Sequence, residues 1–239
     1  MNIIRIGTCV PGQAAEKLLP HLIQAGFECV SLNFHMEFPE KDLSTYWEKV
    51  RPLLEDSPVQ VSSIGFYCNP LENEAQRQTL EHFIDNAHLF GTHLVTTFAG
   101  ALEGQPVEKA MPRYQEVFGE LARRAEANGV RLAIENCPMD GTWNQATCNI
   151  AFNPRAWECM FDAVPSEAIG LEWEPAHQMV QLIDPLPQLE QWAGRIYHLH
   201  GKDATLHTDR VQKWGVFGAC TFAEPRTPGY GDTDWRDIF

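Results

Sequence analysis

The sequence predicts an α/β protein of the (β/α)₈ barrel type, with seven of the eight strands visible in its 239 residues. Two observations carry that reading. Short apolar, strand-like runs alternate regularly with amphipathic helical stretches, an order that implies parallel strands and right-handed crossovers. Three of the runs end on metal-capable side chains, at Glu135, at Glu174 with His177, and at His200. Strand ends that deliver Glu, Glu/His and His in turn suit the C-terminal mouth of a barrel. An open doubly wound sheet competes, but no Gly-x-Gly-x-x-Gly follows the first strand.

The elements follow in order. Ile3–Thr8 reads as the first strand. Ala14–Ala25 is a helix with Leu18, Leu19, Leu22 and Ile23 on one face, stopped by Gly26. Phe27–Asn33 is the second strand. Leu43, Tyr46, Trp47, Val50 and Leu54 form the next helical stripe, and Val59–Phe66 the third strand. A helix over 71–90 ends at Gly91, before a fourth strand, His93–Ala99. The helix 107–128 stops at Asn128-Gly129, and Val130–Asn136 is the fifth strand. Helices near 154–163 and 185–193 surround the sixth and seventh strands, Ala168–Glu174 and Arg195–His200. Asp234 caps the opening turn of a last helix. An eighth strand is expected next and the sequence stops first, so 1–239 reads as a single barrel domain truncated before its C-terminal α/β unit. The two strand edges this leaves unpaired are an aggregation liability that a second copy could cover, giving a homo-oligomer.

Composition narrows the function. With 44% hydrophobic and 21% charged residues, the chain can build a substantial core and is not of the disordered class. Its formal charge of −14 repels phosphate backbones and anionic membranes, and no Lys/Arg run offsets it. Neither nucleic acid nor membrane is expected as a partner. The seven cysteines contain no Cys-x-x-Cys pair, which favours a reducing compartment. Without a signal-like N-terminus or an apolar run of membrane-spanning length, a cytoplasmic protein is expected.

Glu135 ends an apolar strand, where a carboxylate is costly unless it meets a cation, a hydrogen-bond network or water. Alone it would read as a charged strand cap. Glu174 and His200 at the same place on later strands make the three together a metal site. Glu174 and His177 lie three apart across Pro175, so a ligand and a supporting imidazole can face one point. Glu172 shares the strand side of Glu174 and is either a buried polar layer residue or a direct participant. His198 shares a face with His200 but reads as an interior histidine. Lys202 on the rim is a candidate substrate contact, and Asp203 either orients a ligand or forms a rim ion pair. Tyr67 and Asn69 after the third strand, and Trp143 and Asn149 after the fifth, combine rings and amides as polyol pockets do. Either loop could equally be rigid packing. Arg210 and Arg226 fall in a long loop after the seventh strand, where an Arg can grip substrate oxygens.

Together, Gly65–Leu71, Ile134–Met139, Gly170–His177, His198–Asp203 and Pro228–Asp232 resemble the sugar phosphate isomerase/epimerase group of the xylose isomerase-like TIM barrels. That superfamily also contains AP endonucleases, ketose 3-epimerases and inositol-catabolism enzymes. The resemblance implies one divalent cation, Mn²⁺ first with Mg²⁺, Co²⁺ or Zn²⁺ as alternatives, bound by Glu, Asp, His and a final Glu. Glu135 and His200 match the first and third ligands. Glu174 stands where the family has Asp, one methylene longer. The final Glu, also an acid/base group in the epimerases, belongs to the eighth strand that the sequence lacks.

The implied reaction is isomerisation or epimerisation of a ketose, aldose or related polyol, by proton transfer through an enediolate. Glu135 would be the acid/base, with His177 and Arg210 positioning oxygens. Little turnover is expected of 1–239 by itself. One alternative is an AP endonuclease-like phosphodiesterase, opposed by the acidic charge and by the ligand-free end of the fourth strand at Phe98-Ala99-Gly100. The other is a non-catalytic sugar- or metal-binding barrel. No cysteine, Cys137 included, is expected to ligate.

Overall fold

Seven strands run parallel in a sheet whose spatial order is the chain order: β1 (Gly7–Pro11), β2 (Cys29–His35), β3 (Gln60–Tyr67), β4 (Leu94–Thr97), β5 (Arg131–Glu135), β6 (Ile169–Trp173) and β7 (Ile196–Leu199). The computed structural model describes residues 4–239. Helices α1 (Ala15–Ala25), α2 (Leu43–Leu54), α3 (Glu74–Asn86), α4 (Val107–Asn128) and α5 (Pro154–Ala163) fill the crossovers, followed by α6 (Pro175–Met179) and α7 (Pro185–Trp192). This is the α/β barrel arrangement that the alternation predicts. Ladder position explains the main shift in boundary. Pairing with β2 starts at Gly7–Cys29, so β1 begins there and not near Ile3, which lies outside the described residues.

The helices form where the stripes place them. In α4, Ala110, Tyr114, Val117, Phe118, Leu121 and Ala125 recur at three- and four-residue steps and are buried against the strands. Gly129 ends that helix with φ +64°, a left-handed conformation that costs glycine little. Asn153 caps α5 by accepting from the Ala156 amide, with Pro154 in the first turn. One continuous core runs from Val10 to Trp173 between sheet and helices. Burial falls at the two ends of the sheet: β2 and β6 are almost wholly buried, whereas β1 and β7 are partly exposed. Among the described residues no strand pairs with the outer edge of either.

The region after β7 departs from the sequence reading. It is not a long loop: β8 (Asp203–Leu206) and β9 (Ala223–Arg226) form an antiparallel ribbon, with α8 (Thr208–Trp214) between them and α9 (Trp235–Ile238) at the end. Asp203 organises it. This fully buried carboxylate accepts from the amides of Ala204, Gly229, Gly231 and Thr233 and from the Trp235 indole, at 2.8–3.2 Å. It is neither a ligand nor half of a rim ion pair. The Pro228–Asp232 stretch is wrapped around it.

Candidate metal centre

Amide side chains hold the C-terminal end of β5 to that of β6 and to the segment after β4. Asn136 is fully buried. Its Nδ2 donates to the Glu174 carbonyl at 2.9 Å, and its Oδ1 accepts from the Glu174 amide at 2.8 Å. That reciprocal pair locks the exit of β6 beside the exit of β5. Asn149, also buried, donates to the carbonyls of Glu135 and Cys137 at 2.8 Å each and accepts from Ala99 and Ala151. For Asn149 the packing alternative holds, and it fixes the strand end on which Glu135 stands. Ladder register then sets the carboxylates side by side, since Glu135 and Glu172 are Cα partners across β5 and β6.

Five of the predicted residues converge. His200 Nδ1 lies 3.1 Å from Glu135 Oε1 and 3.7 Å from Glu174 Oε2. His177 Nε2 is 3.2 Å from Glu174 Oε1, and Lys202 Nζ is 3.1 Å from the same oxygen. Ligand atoms at 2.1 Å from an octahedrally bound cation are about 3 Å apart, so these spacings are those of a ligand shell. Glu135, Glu174 and His177 also offer one atom each within 4.8 Å of one another.

The charges are those of a site with too many carboxylates. Burial raises the Glu135 pKa, the His200 contact works against this, and Glu172 and Glu174 add to the rise. Burial acts the same way on Glu174, but His200, His177 and Lys202 outweigh it and its pKa is lowered. His200 resists protonation through burial. Glu172, Cys9 and Glu135 more than offset this and raise its pKa well above the usual imidazole value. Burial depresses His177 to about 4, leaving a neutral imidazole at neutral pH.

A divalent cation fits this arrangement. Glu174 Oε1 is buried and makes no aligned hydrogen bond, although Lys202 and His177 are close to it. A buried carboxylate oxygen left that way is costly unless a further positive partner meets it. Carboxylate oxygens with imidazole nitrogen, and no thiolate, make a hard to intermediate donor set. Burial pushes the Cys137 thiol up to about 11, a poor state for a ligand.

Four predicted substrate contacts do not reach the cluster. Tyr67 is buried inside the barrel and donates from its hydroxyl to Glu172 at 2.7 Å, so it turns inward from the mouth. Asn69 accepts from the Ala101 amide and braces the loop after β3. Trp143 donates its indole N–H to Glu108 of α4 at 2.6 Å. Arg210 binds the Thr221 carbonyl and Glu224 within the ribbon region. Arg210 and Arg226 do not lie in the loop expected after β7: the first is in α8 and the second in β9, both paired to Glu224. His198 is interior, as expected, with Nδ1 2.7 Å from Glu172. The role of Asn136 has no sequence signal beyond its place directly after Glu135.

Comparison with known proteins follows the same lines. A family described as xylose isomerase-like TIM barrel matches residues 20–239. No curated protein matches the chain. Among solved structures, a xylose isomerase domain protein from Planctomyces limnophilus is similar over 98% of this chain and 84% of its own, with TM-score 0.73 and 15% identity. A D-allulose 3-epimerase from Methylomonas sp., solved with D-allulose, is similar over 98% of this chain and 78% of its own, with TM-score 0.67 and 12% identity. A xylose isomerase-like TIM barrel protein from Mycobacterium smegmatis, solved with magnesium, is similar over 98% and 84%, with TM-score 0.67 and 18% identity.

Proposed function

The chain belongs to the xylose isomerase-like TIM-barrel family, and we propose that it is a divalent-metal-dependent isomerase or epimerase of a small sugar or polyol. One observation carries the reading: Glu135, Glu174 and His200 meet at the ends of three consecutive strands, with His200 Nδ1 3.1 Å from one carboxylate and 3.7 Å from the other. The D-allulose of a structural relative fits the same substrate class.

Glu135, Glu174 and His200 would hold the cation. When bound, it supplies Lewis-acid polarisation of a substrate carbonyl oxygen. Glu135 is the group that takes the proton from the carbon next to the carbonyl. In an isomerisation it would deliver that proton to the former carbonyl carbon, and in an epimerisation a second acid would reprotonate the same carbon from the opposite face. His177, kept neutral by burial, has a ring nitrogen free to accept a hydrogen bond from a substrate hydroxyl when it swings from Glu174. Lys202, half in solvent beside Glu174, orients a second oxygen. The phosphodiesterase alternative gains no support: both candidate ligand groups among the described residues lie on β5–β7 or just beyond, and the chain carries a charge of −14.

The test is solvent exchange. The protein is incubated with Mn²⁺ and a panel of ketoses in D₂O, and NMR follows deuterium entering the carbon next to the carbonyl. Exchange that stops on chelation is expected. Mn²⁺ binding with no exchange on any ketose or aldose would leave a sugar- or metal-binding barrel in its place.

A further inference from the structure

Resting on the metal reading above, we propose that Glu172 is a positioning residue that sets the ring orientation and proton of His200. Glu172 is fully buried on β6, deeper in the barrel than Glu174. Its Oε1 lies 2.9 Å from His200 Nε2 and 2.7 Å from His198 Nδ1. Its Oε2 accepts from the Tyr67 hydroxyl at 2.7 Å, and that hydroxyl accepts from Thr96 Oγ1 at 3.0 Å. Glu172, His198 and His200 are spaced as a second ligand group would be. Both Glu172 oxygens, however, are already taken by protein partners, and the group serves the first centre better than an ion of its own.

The geometry around His200 decides the role. An imidazole that donates from Nε2 to Glu172 keeps its Nδ1 lone pair for the opposite side, where Glu135 and Glu174 stand at 3.1 and 3.7 Å. A histidine ligand is held in this way when a carboxylate receives its other N–H. Cys9 Sγ touches the same Nε2 at 3.5 Å, but a thiol is a much weaker acceptor than a carboxylate. The backbone is shaped for this contact. Between β6 and β7 the register slips at Leu171–Glu172, so that Glu172 opposes His198 and the ladder passes over Tyr197. Such an irregularity re-aims side chains at the rim of a barrel. Two imidazoles and a hydroxyl converge on the fully buried Glu172, which holds its carboxylate in one place against the His200 ring.

Two measurements on the full chain test this. Mn²⁺ affinity, read by EPR titration, is expected to fall about 10–100-fold in Glu172→Gln, because losing a second partner of a histidine ligand has that size of effect. His198→Asn, which alters the same network and leaves the Glu172–His200 contact in place, is expected to stay within about threefold of wild type. Independently of any variant, ¹⁵N NMR of the Mg²⁺-loaded wild type should show His200 protonated at Nε2 and not at Nδ1. An Nδ1–H tautomer in the loaded protein overturns the proposal even if Glu172→Gln does not fold. Equal Mn²⁺ affinity in wild type and Glu172→Gln, or an equal loss in His198→Asn, overturns it too and leaves the metal reading standing. A wild type that binds neither Mn²⁺ nor Mg²⁺ overturns both.

Discussion

Two charged clusters in this molecule have opposite balances. At the barrel mouth three carboxylates, Glu135, Glu172 and Glu174, are buried and share Lys202 and the imidazoles of His177, His198 and His200. In the ribbon a single, half-exposed carboxylate, Glu224, is surrounded by Arg210, Arg226 and His207 at 2.6–3.1 Å. Hydrogen bonds from the two arginines hold the Glu224 carboxyl below its usual range. Its charge is satisfied within the protein, and the cluster ties β9 to α8. The mouth has the reverse problem. One oxygen is left without an aligned donor, and the Glu135 carboxyl is pushed up by burial, with Glu172 and Glu174 adding to the rise. An excess of buried negative charge asks for a cation from outside; a surplus of cations around one carboxylate is a clamp.

The largest expected effect tests the mouth as chemistry. Glu135→Gln should reduce deuterium exchange into a ketose substrate about 10³-fold, the scale of a lost general base, or about 4 kcal/mol of barrier. A variant that exchanges at the wild-type rate would break the contrast, because Glu135 would then be only a structural charge.

The ribbon region is tested as structure. Asp203→Ala leaves three part-buried backbone amides and the Trp235 indole without their acceptor, and should cost about 2 kcal/mol in urea unfolding with little change in Mn²⁺ affinity. Its pH dependence has a definite sign. Burial works against the Asp203 charge, but Trp235, Thr233 and Ala204 outweigh it and lower the pKa. The stability Asp203 contributes is therefore present above the unfolded carboxyl value near 3.8 and is lost as pH falls through the lower folded value. Asp203→Asn should flatten the acid limb of a stability–pH curve below the unfolded carboxyl value near 3.8. An unchanged limb would show that Asp203 is not charged in the fold.

A cation should stabilise the mouth alone. Mn²⁺ at about a hundred times its Kd should add about 2.7 kcal/mol, seen as a rise of several degrees in Tm. Glu174→Gln should abolish that rise, whereas Arg226→Ala should leave it intact. The smallest effect is that of Arg226→Ala itself, less than about 1 kcal/mol, because a half-exposed ion pair contributes little. A Tm rise surviving in Glu174→Gln would move the ion elsewhere.

Much of this was legible in the chain. Glu135, Glu174 and His200 each end a short apolar run, and that local pattern placed them at strand exits before any tertiary contact was known. The helix over 107–128 is readable from its apolar stripe and its Asn128-Gly129 stop, and a helix near 154–163 is expected where α5 lies. The ring and amide contacts were not legible. Tyr67 follows its strand as a pocket residue would, yet it turns inward to a carboxylate 105 positions later in the chain. Arg210 looks like a loop arginine until β8 and β9 pair and Glu224 comes beside it. Asp203 acquires its meaning from donors 26–32 residues away.

The sequence by itself determined the alternation of elements, the parallel order and the side chains at the strand ends, because period and punctuation are local properties. Only the tertiary structure decided which of those side chains meet. A two-residue period says which face a strand residue takes, but not its depth or the register of its neighbour. That register, with its slip at Leu171–Glu172, sets Glu172 against His198 and beneath His200.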